Sequence, residues 1–294
     1  MKYQFIAIHS HSYPVAAMCR ALGVSSSGYY AARGRAPSTR SRRQAALSSQ
    51  IRAIHVASRC TYGAPRVHAE LCAQGVGCCL NTVAKLMRQE KILPKAIRRF
   101  QVTTDSRNTT VAAPNLVNHE FHAARPDTCW LSDITYIPTR EGWLYLAAIL
   151  DLHSRAVAGW AMSRTLDCRL AMDALKMAIS RRGTSPAVLH SDRGSTYAAA
   201  EYRALLGRHA ITQSMIRKGN CWDNAPMESF FRTLKTELVM HCDYKTRDEA
   251  RASLFEYMEV FYNRQRRHSS LGYKTPLPFE VSNNAQFNLS TDRG

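Results

Sequence analysis

The chain has 294 residues, enough to bury a full core and to carry one main domain with smaller ones beside it. It holds 40 Lys and Arg against 22 Asp and Glu, a net charge of +18, and the excess is uneven: residues 1–125 carry 18 basic and only 4 acidic side chains. Such a front segment suits a polyanion, and its basic residues flank no long apolar face, which argues against a membrane surface as the partner.

No apolar run approaches the roughly 20 residues of a membrane span, and WLYLAAIL at 143–150 is strand-sized. The nine cysteines form no Cys-x-x-Cys pair, and Cys78-Cys79 with His68 lacks a zinc-finger spacing. They read as reduced thiols of a cytoplasmic protein.

From the amino end, VAAMCRALGVSSSGYY (15–30) outlines a helix-turn-helix, with Val15, Met18, Cys19 and Leu22 apolar, Gly23 as the break and serines to cap a second helix. Residues 33–43, rich in Arg and Ser with Pro37, read as a mobile linker. A second helical unit follows: APRVHAELCAQG (64–75) starts at Pro65 and stops at Gly75, and Asn81 is placed to cap TVAKLMRQEKI. In that last helix Val83, Leu86 and Met87 turn inward, while Thr82, Lys85 and Arg88 turn outward and suit a DNA groove. A helix pair that only packs against its neighbours is the alternative. From Lys95 to Arg125 periodicity vanishes, as in a linker or an extended arm along DNA.

WLSDITYIPT (130–139) reads as a strand with Asp133 planted in its middle, and 142–152 and 155–163 follow on short turns as an antiparallel meander. LDCRLAMDALKMAISRR is helical, PAVLH is a short buried strand, and Asp192 comes directly after it with the turn pair Arg193-Gly194. Past KGNCWDNAPM, where Asp223 or Asn224 can cap and Pro226 can open a helix, Glu228 begins the helical stretch ESFFRTLKTEL. Three antiparallel strands, a helix, another strand and more helices make a mixed α/β layer.

Asp133, Asp192 and Glu228 are thus carried by two strands and one helix. Carboxylates so placed can hold two divalent metals against a phosphodiester, one activating the attacking oxygen and the other stabilising the leaving one. Lys235, seven residues past Glu228, projects from nearly the same helix face, two turns on. Asn220, Trp222 and Asn224 form a loop able to contact bases or merely to pack and cap. Within RQRRHSSLG (264–272), Arg264, Arg266 and Arg267 can grip phosphates, after an amphipathic core helix LFEYMEVFYN. His190 points to the same side as Asp192 and orients the site, and Asp151 is structural.

HSDRGSTY, SMIRKGNCWDNAPMESFFRTLKTE and FYNRQRRHSSLGYKTP resemble the integrase-core transposases of bacterial insertion sequences, in particular the group named after insertion sequence three. LGVSSSGYY, TYGAPRV and the WLSDITYIPT to AVAGW block extend the resemblance over nearly the whole chain. It implies a fold of RNase H-like (retroviral integrase-type) mixed sheet flanked by helices, preceded by all-α helix-turn-helix modules. With it go a helix-turn-helix module at 1–35, a second helical DNA-binding module at 36–100, a linker at 101–125, the catalytic core at 126–285 and a tail at 286–294.

The family's catalytic and metal-holding acids fall on Asp133, Asp192 and Glu228, with 35 residues between the last two, and its following basic residue falls on Lys235. The implied activity is binding of insertion-element ends, then metal-dependent strand cleavage and strand transfer with two Mg²⁺ ions, Mn²⁺ being a substitute. Arg193 joins Lys235 and the loop residues as an expected DNA contact. Implied partners are DNA ends and target DNA, further copies of the chain in a dimer or larger homo-oligomer, and the upstream-frame product, because no heptad repeat is present here. Thr196 departs from the family's Gln. A non-catalytic DNA-binding regulator is the rival reading.

Overall fold

The computed structural model describes residues 2–36, 38–95, 113–217 and 221–282, without the side chains of Cys221 and Trp222. Asn220, the expected tail and residues 101–112 of the expected linker lie outside them. By contact the chain divides into two units, Met1–Ala53 and Ile54–Gly294.

The first unit contains α1 (Lys2–His9), α2 (Val15–Ala21) and α3 (Ser26–Gly34). Ser25 caps α3 by accepting from the Gly28 N–H at 3.0 Å, and Ile6, Met18, Cys19 and Tyr29 close a small core. The helix-turn-helix outline therefore holds, with α1 added. The linker expected at 33–43 is overturned: α4 (Thr39–Ala57) begins inside it, where Ser38 Oγ accepts the Ser41 N–H at 3.2 Å. Arg, Ala, Gln and Leu are good helix formers, and Leu47, Ile51 and Ile54 supply a buried stripe that the polar opening of the segment hides.

The second unit begins with α5 (Ala64–Ala73) and α6 (Leu80–Gln89), whose Val67, Leu71, Val83, Leu86 and Met87 are buried. Cys79, not Asn81, stands at the N-cap of α6. The helix pair is tied to the far end of the same unit. Arg66 Nε donates to the Arg267 carbonyl at 3.0 Å, Tyr62 Oη to the Gln265 carbonyl at 3.1 Å, and Arg267 Nε to Glu70 at 2.6 Å.

The sheet comprises β1 (Cys129–Thr139), β2 (Gly142–Asp151), β3 (Val157–Ser163), β4 (Val188–Ser191) and β5 (Thr212–Met215), in the order β3-β2-β1-β4-β5. β1, β2 and β3 form the expected antiparallel meander, while β4 and β5 join in parallel. β5 is only four residues long and carries no pattern that periodicity could detect.

Alternation along the strands separates two cores. Leu131, Ile137, Leu144, Leu146 and Leu150 face α10 (Ala225–Glu237), α11 (Arg247–Glu256) and the π-helical turn Tyr257–Tyr262. Trp130, Ala147 and Ile149 face the other layer, α7 (Cys168–Arg182), α8 (Ser195–Ala198) and α9 (Ala200–Arg208). Asp167 caps α7 through the Leu170 N–H, and α7 lies so close to β3 that a Cβ at Gly159 would stand 2.5 Å from the Ala174 carbonyl oxygen. Only glycine fits there. The result is a mixed five-stranded sheet covered by helices on both faces.

Candidate active site

β1 and β4 run parallel with Ser132 opposite Ser191, so the next step of the register brings Asp133 beside Asp192. Asp192 has just left the strand, and its Oδ1 accepts the Gly194 N–H at 2.9 Å. A Cβ at Gly194 would lie 3.0 Å from that same oxygen, so glycine lets the turn fold back on the carboxylate. Asp133 Oδ1 accepts the Ile134 N–H at 2.7 Å. Neither acid, nor Glu228, forms an ion pair among the described residues.

Burial pushes the Asp133 carboxyl well above the usual carboxylate range, with the like charges of Asp192 and Glu228 adding to it. The Ile134 N–H and the Lys235 ammonium act in the opposite direction. Asp192 is raised too, again by burial and against the Gly194 hydrogen bond. Glu228, more exposed, is raised by burial alone, and the Lys235 amine is lowered by burial while Asp133 holds it up. Asp133 therefore feels Asp192, Glu228 and Lys235 at once.

Lys235 is held in place, its Nζ lying 5.0 Å from the centroid of the Tyr136 ring on β1. Met227, Phe230, Phe231 and Leu234 bury the opposite side of α10 against the sheet. Among the described residues no three His, Cys, Asp or Glu side chains are arranged to hold a metal as they stand. The donor chemistry nonetheless fits a hard divalent cation, since adjacent desolvated carboxylates with no paired cation are costly unless one binds.

His190 supports the site without joining its chemistry. Its Nδ1 lies 2.8 Å from Ser214 Oγ and its Nε2 lies 3.0 Å from the Asp223 carbonyl, which can only accept. Both ring nitrogens are engaged and burial keeps the ring neutral, so it pins β4 to β5 and to the 3-10 turn Cys221–Asn224 ahead of α10. Asp151 is also structural, accepting from Ser154 N and Oγ and from the Asp127 N–H.

Several expected DNA contacts are placed elsewhere. Arg266 is buried at 3% exposure, paired through Nη2 at 2.7 Å with the equally internal Glu237, and no backbone phosphate could reach it. Arg267 spends its guanidinium on Glu70 and on the Tyr273 carbonyl. The basic cluster reads alike in sequence whether solvated or internal, and its acidic partners are far away in the chain. Arg264 of the same cluster is exposed, as are Lys85 and Arg88 on α6, with Thr82 half-buried and bonded to Cys79 Sγ.

Asn224 is buried and caps nothing, and Arg193 Nε is bonded to the Ile216 carbonyl at 2.7 Å. Asn220 and the Trp222 side chain lie outside the described residues. Thr196, at the departing position, is buried at the start of α8.

Sequence reasoning missed a clamp. Arg217 N and Nε donate to Asp223 Oδ2 at 2.7 and 3.1 Å and Nη2 to Oδ1 at 2.8 Å, which drives the Asp223 carboxyl down to about 2. The pair closes the base of the segment between them, just ahead of the Glu228 helix. Opposite charges flanking KGNCW were the available signal.

Residues 123–221 match a family model described as an integrase core domain, residues 209–276 match a second model of that description, and residues 41–100 match an HTH-like domain. The chain is 43% identical over 286 residues to the transposase InsF for insertion sequence IS3A of Escherichia coli, covering 96% of this chain and 99% of that one. It is 42% identical over 263 residues to a 31 kDa protein of insertion element IS600 from Shigella sonnei, covering 89% and 97%. Among solved structures, the simian T-cell lymphotropic virus intasome aligns at 15% identity with a TM-score of 0.47, covering 77% of this chain and 73% of that one.

Proposed function

The chain belongs to the IS3 family of integrase-core transposases, and from that premise we propose that Asp133, Asp192 and Glu228 form its strand-cutting and strand-joining centre. The observation that carries this reading is the β1–β4 register, which sets two desolvated carboxylates side by side within the field of Glu228 and Lys235.

Asp133, Asp192 and Glu228 would together hold the Mg²⁺ ions. Bound there, divalent cations supply activation of an attacking oxygen and neutralise charge on the leaving one. The protein's own part is positional. Gly194 and its N–H hold Asp192 in place, His190 fixes the turn ahead of Glu228, and Lys235, braced on Tyr136, offers its ammonium to a phosphate beside the cut bond. Water is the first nucleophile and a DNA 3′-hydroxyl the second, so no covalent link to the protein forms. Exposed Lys85 and Arg88 on α6 support delivery of DNA by the helical front, and joining two ends calls for more than one copy of the chain.

The test is Asp192→Asn in the full chain, assayed on DNA bearing the element's ends. Mg²⁺-dependent cleavage should disappear while binding is retained. Cleavage that survives the substitution would remove Asp192 from the centre, and binding without cutting by the unaltered chain would favour a regulator.

A further inference from the structure

A cavity of about 230 Å³ opens at the amino end of α10, bordered by Arg155, Ala225, Pro226, Ser229, His268 and Ser270. Arg155 is half-spent there. Its Nη2 donates to the Phe121 carbonyl at 2.6 Å, but its Nη1 is buried with no hydrogen-bond partner. A guanidinium N–H withdrawn from water without an acceptor is costly, and such groups ordinarily have a hydrogen-bond partner.

The helix end tells the same way. α10 has thirteen residues, follows directly on the 3-10 turn Cys221–Asn224 and has no side-chain cap, and its first residues Ala225 and Pro226 bring the positive end of its dipole to the cavity. Asn224, at the cap position, is 4% exposed, and neither its Nδ2 nor its Oδ1 has a partner. No carboxylate borders the cavity among the described residues: Asp151 is bonded to Ser154 and the Asp127 N–H, Glu237 to Arg266 and Tyr257, and Glu228, in the first turn of α10, acts on the Asp133 carboxylate outside the cavity lining. The His268 ring feels the resulting field, since burial first, and then Arg266, Arg155 and Arg66, lower its pKa to about 3.

We propose that this cavity binds a phosphate of the DNA backbone, with the free Nη1 of the Arg155 guanidinium as its donor and the positive end of the α10 dipole beside it. Its place on the DNA rests on the transposase reading: Ala225 and Glu228 are one helical turn apart, so a strand held at Glu228 passes the cavity mouth.

Two variants of the full chain test it in EDTA, where no metal-dependent step intervenes. Arg155→Gln removes the charge, and Ser270→Asp sets a carboxylate at an exposed rim position whose hydroxyl lies 2.9 Å from His268 Nδ1. Inorganic phosphate should raise the melting temperature of the unaltered chain and of neither variant. In both variants the slope of log Kobs against log salt for a short DNA duplex should fall by about 0.9, the value of one phosphate contact. Phosphate that stabilises all three proteins alike overturns the subsite. A phosphate effect lost in the variants with the DNA slope unchanged overturns its assignment to DNA and leaves a small-anion site. If Arg155→Gln does not fold, Ser270→Asp decides alone. Because binding is read without metal, failure here leaves the Asp192→Asn result untouched, and the converse holds.

Discussion

Arg266→Ala should cost the fold heavily and DNA binding little. Glu237 accepts from Arg266 Nε at 3.1 and 2.8 Å, from Arg266 Nη2 at 2.7 Å and from Tyr257 Oη at 2.7 Å, and the two charged side chains are 3% and 8% exposed. Truncating the arginine leaves a buried carboxylate with one phenol as its partner. Removing one half of a buried pair costs about 3–5 kcal/mol. For a unit of this size 1 kcal/mol moves the midpoint by about 2–4 °C, so a loss near 4 kcal/mol lowers it by about 8–16 °C.

Calorimetry or urea unfolding measures this, with Glu237→Met and the double variant Arg266→Met/Glu237→Met alongside. Replacing both charges with apolar side chains of similar volume removes the stranded charge, so the double variant should be more stable than Arg266→Ala and close to the parent. If Arg266→Ala leaves the midpoint unchanged but lowers the salt slope of DNA binding by about one contact, the internal assignment of Arg266 is wrong and its place is on DNA.

His268 makes stability depend on acid. Its folded pKa, about 3, lies below the ordinary value of 6.5, so the unfolded chain binds the proton first; stability is full above about 6.5 and declines as the pH falls toward 3. At pH 5 this amounts to about 2 kcal/mol at 1.36 kcal/mol per unit, and His268→Asn should flatten the difference between pH 7 and pH 5 in urea titrations. Gly159→Ala, whose methyl would meet α7 backbone at 2.5 Å, should destabilise by about 1–3 kcal/mol or prevent folding, read by the same titration. Gly194→Ala presses on Asp192 Oδ1 from 3.0 Å; strand cleavage should drop roughly tenfold with DNA binding intact, measured on duplexes carrying element ends.

The sheet and its acids were legible because they rest on local signals. The apolar runs of β1 and β2, the helical pattern of α7, and Pro226 opening α10 each act within a few residues. What was illegible depends on distant partners. Nothing near RQRRH tells that Arg266 meets Glu237, 29 residues earlier, or that Arg267 meets Glu70, 197 residues earlier. α4 was hidden because its first turns are Arg and Ser, whose polarity suits an exposed helix face as well as a linker. Asn224 looked like a cap by residue type, yet with φ −122° and ψ 29° its buried amide makes no cap hydrogen bond.

α10 links these findings. One face of the helix packs Met227, Phe230 and Leu234 into the sheet, fixing its height above β1. That height is what lets Glu228 share a field with Asp133 and lets Lys235 rest on Tyr136, three residues farther along β1. Its carboxyl end is anchored by Glu237, through Arg266, to the segment that also seats the α5–α6 pair by way of Arg267 and Glu70. Its amino end follows the 3-10 turn that His190 pins from β4, the strand preceding Asp192. Each end of the helix is thus tied to a different carrier of function, so a substitution that tilts α10 should impair the carboxylate cluster and the seating of the helical module together. Arg266→Ala provides that coupling test as well: partial unfolding by hydrogen exchange should spread from residues 264–267 to both α5 and α10, and protection lost in only one of them would show the two to be independent.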